Sequence, residues 1–89
     1  MLTFDFVDWD DENDPKGNVQ HIATHSLTPE EVEDVLYSPA IKHGHSRGSG
    51  QTCAWGRTST DRHIIVIDKL SERGGFTTIR PVTAYDVPA

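Results

Sequence analysis

The longest unbroken aliphatic run in this 89-residue chain is Ile64-Ile65-Val66-Ile67, and it constrains the fold more than any other feature. Four β-branched residues in succession disfavour helix and read as a strand covered on at least one face. Alternation from Arg62 to Asp68 puts Arg62, Ile64 and Val66 on one side and His63, Ile65 and Ile67 on the other. Leu, Ile, Val and Phe together number only 20 residues, just above the composition at which disorder is the default, so this strand is expected at the centre of a small single domain spanning 1–89. The lone Cys53 cannot make an internal disulfide or a thiolate zinc site, and it reads as a reduced core residue. A core this thin predicts a partner, or a second copy in a homodimer, sharing it.

The remaining pattern supplies the other layer. Leu2, Phe4 and Phe6 alternate with Thr3 and Asp5 as a short half-buried strand. Asp14-Pro15 signals a helix start, with Val19, Ile22 and Ala23 forming its apolar face and Gly17 weakening it. Thr28-Pro29-Glu30-Glu31 is a capping box with Pro at the first helical position, followed by Val32, Val35 and Leu36 on one face. Two helices, about 15–25 and 29–37, are therefore expected as a hairpin. Downstream, 40–42 begins a strand, 44–50 is a Gly/Ser/His loop, 51–58 is strand-like, 69–75 is a loop, and 76–83 is a strand with Pro81 at an edge or bulge. The expected fold is α+β, an antiparallel sheet of four to five strands with both helices on one face, in the order β-α-α-β-β-β.

Charge is divided by position. The formal net charge is −6, which argues against a general nucleic-acid coat, but residues 1–40 carry ten acids against Lys16 alone. The second half carries seven bases against four acids and holds every arginine, so local RNA binding is compatible with the total, and the acidic half suits a basic protein partner. No apolar segment approaches 18 residues, which predicts no membrane-spanning helix. The acidic N-terminus lacks the basic and apolar regions of a signal peptide, and a cytoplasmic location is expected.

Several residues could carry chemistry. His21 and His25 lie four apart on the first helix, with Asn18 on the same side, a spacing that can hold zinc only with a third ligand, so no metal or other cofactor is expected. His43 and His45, read as part of a loop, strengthen a metal site only slightly. Arg57, Arg62, His63 and Arg80 fall in the strand half, where converging guanidiniums would bind a phosphate and a neighbouring imidazole could move a proton. The competing reading is scattered arginines paired with the acidic half. Trp55 offers a face on which a base could stack, or a core residue.

Trp9-Asp10, Asn18 and the stretch from His25 through Thr28-Pro29-Glu30-Glu31 to Glu33 resemble the opening of BrnT-type toxins of bacterial toxin–antitoxin systems. Gly56-Arg57-Thr58 and the run from Ile79-Arg80 to Ala84-Tyr85 resemble the closing blocks of that family. The resemblance implies a RelE/ParE-like fold, metal-independent endoribonuclease activity, and neutralisation by a small basic antitoxin. It further implies Arg57 and Arg80 as phosphate-stabilising residues, His25 as an acid/base or structural histidine, and Tyr85 at a position often occupied by Arg. Arg62 is a weaker phosphate-stabilising candidate by the same resemblance, and with His63 and Trp55, singled out above from their chemistry, it is expected to contact the RNA. Ser26 stands where the family has Gly, and the basic C-terminal helix often seen there has no counterpart before Ala89. These departures and Tyr85 imply reduced toxicity, or an interaction module that keeps the fold without the cleavage.

Overall fold

The computed structural model describes residues 4–45 and 51–87, with five strands and two helices in the order β1 (Phe6–Val7), α1 (Asn18–Ala23), α2 (Pro29–Leu36), β2 (Lys42–His45), β3 (Thr52–Arg57), β4 (His63–Arg73) and β5 (Phe76–Asp86). They form one sheet in the spatial order β1-β5-β4-β3-β2. The α+β architecture is as expected, with two corrections: four strands rather than three follow the helices, and the sheet is mixed. Neighbours from β2 to β5 are antiparallel, but β1 runs parallel to β5, pairing Phe6 with Thr78 and Val7 with Ile79. A parallel pair cannot be closed by a hairpin, and here both helices and three strands intervene.

The aliphatic run fulfils its constraint. Ile64 and Val66 of β4 are fully buried, and cross-strand pairing aligns them with Gly56 and Ala54 on β3 and with Asp86 and Ala84 on β5. Ile22 and Leu27 from the first helix and its exit turn, Val32, Val35 and Leu36 from α2, and Ala54, Ile64, Val66, Ile79 and Ala84 from the sheet form one core cluster. The helices therefore supply one lid over one sheet face, while Ile65 and Ile67 on the other face stay only half-buried.

The capping box at α2 forms as read: the Glu31 backbone N–H donates to Thr28 Oγ1, and the Thr28 backbone N–H donates to Glu31 Oε1. The start of α1 does not follow the sequence signal. Asp14 and Pro15 form a turn, and the helix begins at Asn18 with Gly17 as its cap. Asp10 takes over the capping role, accepting from the Asn18 N–H at 2.9 Å. Gly17 is required by this approach, since a Cβ there would lie 2.7 Å from Asp10 Cβ. After α1 the chain closes as a Schellman turn, with Leu27 N–H donating to Ile22 O and Ser26 N–H to Ala23 O. Ser26 occupies the left-handed position at φ 60° that glycine normally takes. Ala23, expected on the apolar face, is exposed.

Two further boundaries differ from expectation, while the bulge expected near Pro81 is present. The segment 69–73 continues β4 instead of looping, and Gly74 and Gly75, both at positive φ, make a two-residue turn into β5. Gly44 and His45 belong to β2, while 46–50 of the expected loop lie outside the described residues, as do 1–3 of the expected first strand. β5 carries a bulge at Val82, where the pairing slips between Pro81 and Thr83. Among the described residues no helix is long and apolar enough to cross a membrane.

Candidate functional site

Strand register sorts the basic residues by face. On the side away from the core lie Lys42, Arg57, Lys69, Arg73 and Arg80, together with His63, Trp55, Ile65, Ile67, Thr83 and Tyr85. No Asp or Glu occupies an open-face position of β2 to β5. The three acids of those strands, Asp68, Glu72 and Asp86, all fall on the core side. The acids of α2 lie on that side too, because α2 packs on the sheet through the core. Along β2 to β5 the sheet thus carries its basic residues on the open side, while its acids share the core side with those of α2.

The predicted arginines do not converge. Arg57 shares a row with His63, whereas Arg80 shares one with Lys69, six residues further along β4 and roughly 20 Å away at a strand's rise per residue. Arg57 is 63% exposed and rests 3.4 Å from Asp61. Arg80 is bound by Asp10 through contacts of 2.7 and 3.0 Å and lies 3.5 Å from Asp8. Its hydrogen bond to Asp10 raises the guanidinium pKa and lowers that of the carboxyl. Arg62 is on the core side, as its alternation with Ile64 implied. It donates to Asp86 through two nitrogens, to the Ser26 carbonyl at 2.7 Å and to Glu31 at 3.2 Å. Asp86 accordingly titrates below the usual carboxylate range, held there first by Arg62. Arg62 ties the helical hairpin to the sheet and is not placed to receive substrate.

Two predicted residues do meet. The His25 and Tyr85 rings have centroids 6.1 Å apart, and His21 continues the line with its ring 6.0 Å from His25. Tyr85 also shares a row with Ile65, Trp55 and Lys42. Trp55 is half-buried on this open face, and its ring leans over Gly44, where a Cβ would sit 3.5 Å away. Cys53 is on the same face and half-buried, a correction to its reading as core. Among the described residues no group of three His, Cys, Asp or Glu side chains is arranged to hold a metal, so His21 and His25 lack a third ligand there.

Asn18 organises the site's margin. Its side chain accepts from the Asp10 N–H at 2.9 Å and donates to the carbonyls of Asp8 and Pro81 at 3.0 and 2.8 Å. It thereby fixes Asp10, which fixes Arg80, and satisfies a β5 carbonyl beyond the end of β1. Sequence reasoning missed Lys42, Lys69 and Arg73 as members of the basic face. The period-two alternation that placed His63 extends to 69 and 73, but the run of charged residues read as a loop.

No protein-family model matches the chain, and no curated protein matches it in sequence.

Proposed function

We propose that the protein acts on RNA at the open sheet face, as a metal-independent endoribonuclease of the toxin type on a RelE/ParE-like fold. One observation carries this reading: register gathers five basic residues on that face and places no acid among the open-face positions of β2 to β5. Such a surface attracts a polyanion locally while the acidic helical side repels it. Trp55 and Tyr85 offer ring faces for bases. In the proposed reaction the RNA 2′-hydroxyl gives up its proton as its oxygen attacks the adjacent phosphorus. The 5′-oxygen leaves with a proton, and a cyclic phosphate remains. His25 beside Tyr85 supplies two groups able to take and return a proton, imidazole being suited to both near neutral pH. Cations nearby would stabilise the charge developing on phosphate.

The acidic outer side of α2, with Glu30, Glu33 and Asp34 beside Tyr37, suits a small basic antitoxin. One observation favours a second reading, an interaction module without cleavage: both Arg57 and Arg80 already face carboxylates, so neither is a free phosphate ligand. Incubating purified protein with RNA in EDTA decides between them. Cleavage that is lost in His25→Asn and Tyr85→Phe, with folding retained, is the expected result. Intact RNA under these conditions, together with harmless expression of the wild type, would refute the nuclease reading and leave the interaction module.

A further inference from the structure

A cleft of about 390 Å³ opens where α1 meets β5, at the edge of the basic face. It arises because β1 ends at Val7, leaving the edge of β5 opposite β4 without a strand neighbour beyond Ile79, and because the bulge at Val82 displaces the strand there. Lys16 and His21 line it from the helix side, and Lys69, Arg80, Val82 and Thr83 from the sheet. Asn18 holds the two sides together through its bond to the Pro81 carbonyl.

The cations in the cleft are of two kinds. Arg80 is neutralised and held in place by Asp10 and Asp8, so its contribution is shape and directed N–H groups. Among the described residues the ammonium groups of Lys16 and Lys69 have no ion-pair or hydrogen-bond partner, although they flank the same cavity. The cleft thus offers two unpaired ammonium groups beside one guanidinium already held by carboxylates.

The geometry points to this cleft as a phosphate-binding subsite that closes Lys16 and Lys69 on one phosphate group. The ligand's identity rests on the RNA reading above: a backbone phosphodiester neighbouring the one that reacts. Thr83 lines the cleft and Tyr85 lies two residues further along β5, about 7 Å at strand rise, so both can serve one extended strand.

The test uses a fluorescent, 2′-O-methylated single-stranded RNA, which binds without being cleaved, titrated by anisotropy across a salt series. The variant is Lys16→Gln/Lys69→Gln, with circular dichroism confirming its fold. Loss of two lysine–phosphate contacts should make the log Kd against log salt slope shallower by about 1.4, with wild type and variant converging as salt rises. Tight wild-type binding with an unchanged slope in the variant overturns the subsite and leaves the RNA reading standing. Wild-type protein that does not bind the RNA overturns the RNA reading. Inorganic phosphate followed by amide and imidazole NMR shifts then decides the cleft alone. Shifts confined to Lys16, His21 and Lys69 support a phosphate site, and their absence overturns it.

Discussion

Replacing Asn18 by Ala should destabilise the protein by about 3 kcal/mol. The side chain is 4% exposed and makes three hydrogen bonds, to the Asp10 N–H, the Asp8 carbonyl and the Pro81 carbonyl. Alanine removes all three, stranding the Pro81 carbonyl in a buried setting and the Asp8 and Asp10 groups in partly buried ones. At roughly 1 kcal/mol for each typical bond, the sum is about 3 kcal/mol before the penalty for stranded groups. For a domain of this size that lowers Tm by roughly 12–24 °C. Urea unfolding followed by the fluorescence of Trp9 and Trp55 measures it. Trp9 reports directly, since its indole N–H donates to Glu33 and its ring packs against the core. Asn18→Asp, which keeps the acceptor for Asp10 N–H but turns a carboxylate on two carbonyls, should be at least as damaging. A loss below about 1 kcal/mol for Asn18→Ala, at unchanged m-value, would show that water replaces the side chain at little cost and that Asn18 does not hold the margin of the site.

Three other outcomes are expected. Ser26→Gly should raise stability by about 1 kcal/mol in the same assay, because φ 60° strains any residue with a Cβ and the carbonyl that Arg62 uses is retained; no gain would mean the turn is already relaxed. Arg62→Ala should lower Tm well beyond Arg57→Ala, since Arg62 joins α2, the exit turn of α1 and β5, whereas Arg57 has one exposed pair; equal shifts in a thermal melt would contradict this. The third outcome concerns pH. Burial pushes the Asp68 carboxyl up, its Oδ2 lacks a hydrogen-bond partner, and Thr52 donates to its Oδ1. The folded state holds that proton more tightly than the unfolded state, so stability should fall as pH rises from about 4 through the raised folded pKa. Asp10, Asp34 and Asp86, all lowered, act in the opposite sense, and their contribution disappears as pH falls below about 4 through their folded pKa values. Asp68→Asn should therefore flatten only the neutral side of a stability–pH profile; a profile parallel to wild type would refute the assignment.

The elements that could be read from sequence were those specified by neighbours along the chain. Thr28-Pro29-Glu30-Glu31 caps itself, and the alternation around Ile64 to Ile67 dictates two faces whatever surrounds it. The failures involve partners far away in sequence. Asp14-Pro15 is a sound local helix signal, but Asp10 reaches the Asn18 N–H and moves the start three residues on. Lys69 to Arg73 look like a loop because both strand faces there are exposed beyond the core, and only pairing with β5 keeps them extended. The site shows the same division. Parity placed Arg62 opposite His63, yet it carries no information on distance along the sheet, so it could not separate Arg57 from Arg80. Nor could it bring His25 beside Tyr85, sixty positions away.

The parallel pairing of β1 with β5 gives synthesis of this chain a definite order. Phe6 and Val7 emerge first but have no strand to join until Thr78 and Ile79 have been made. Until then the Asp10 carboxylate lacks Arg80, and the acidic segment around it stays unneutralised. The antiparallel ladder from β2 to β5 forms between sequence neighbours, so it can assemble while the N-terminal strand waits. The basic face can therefore form before β1 docks, whereas the Asp10–Arg80 contact at the margin of the cleft has to wait until the ends of the sheet are joined.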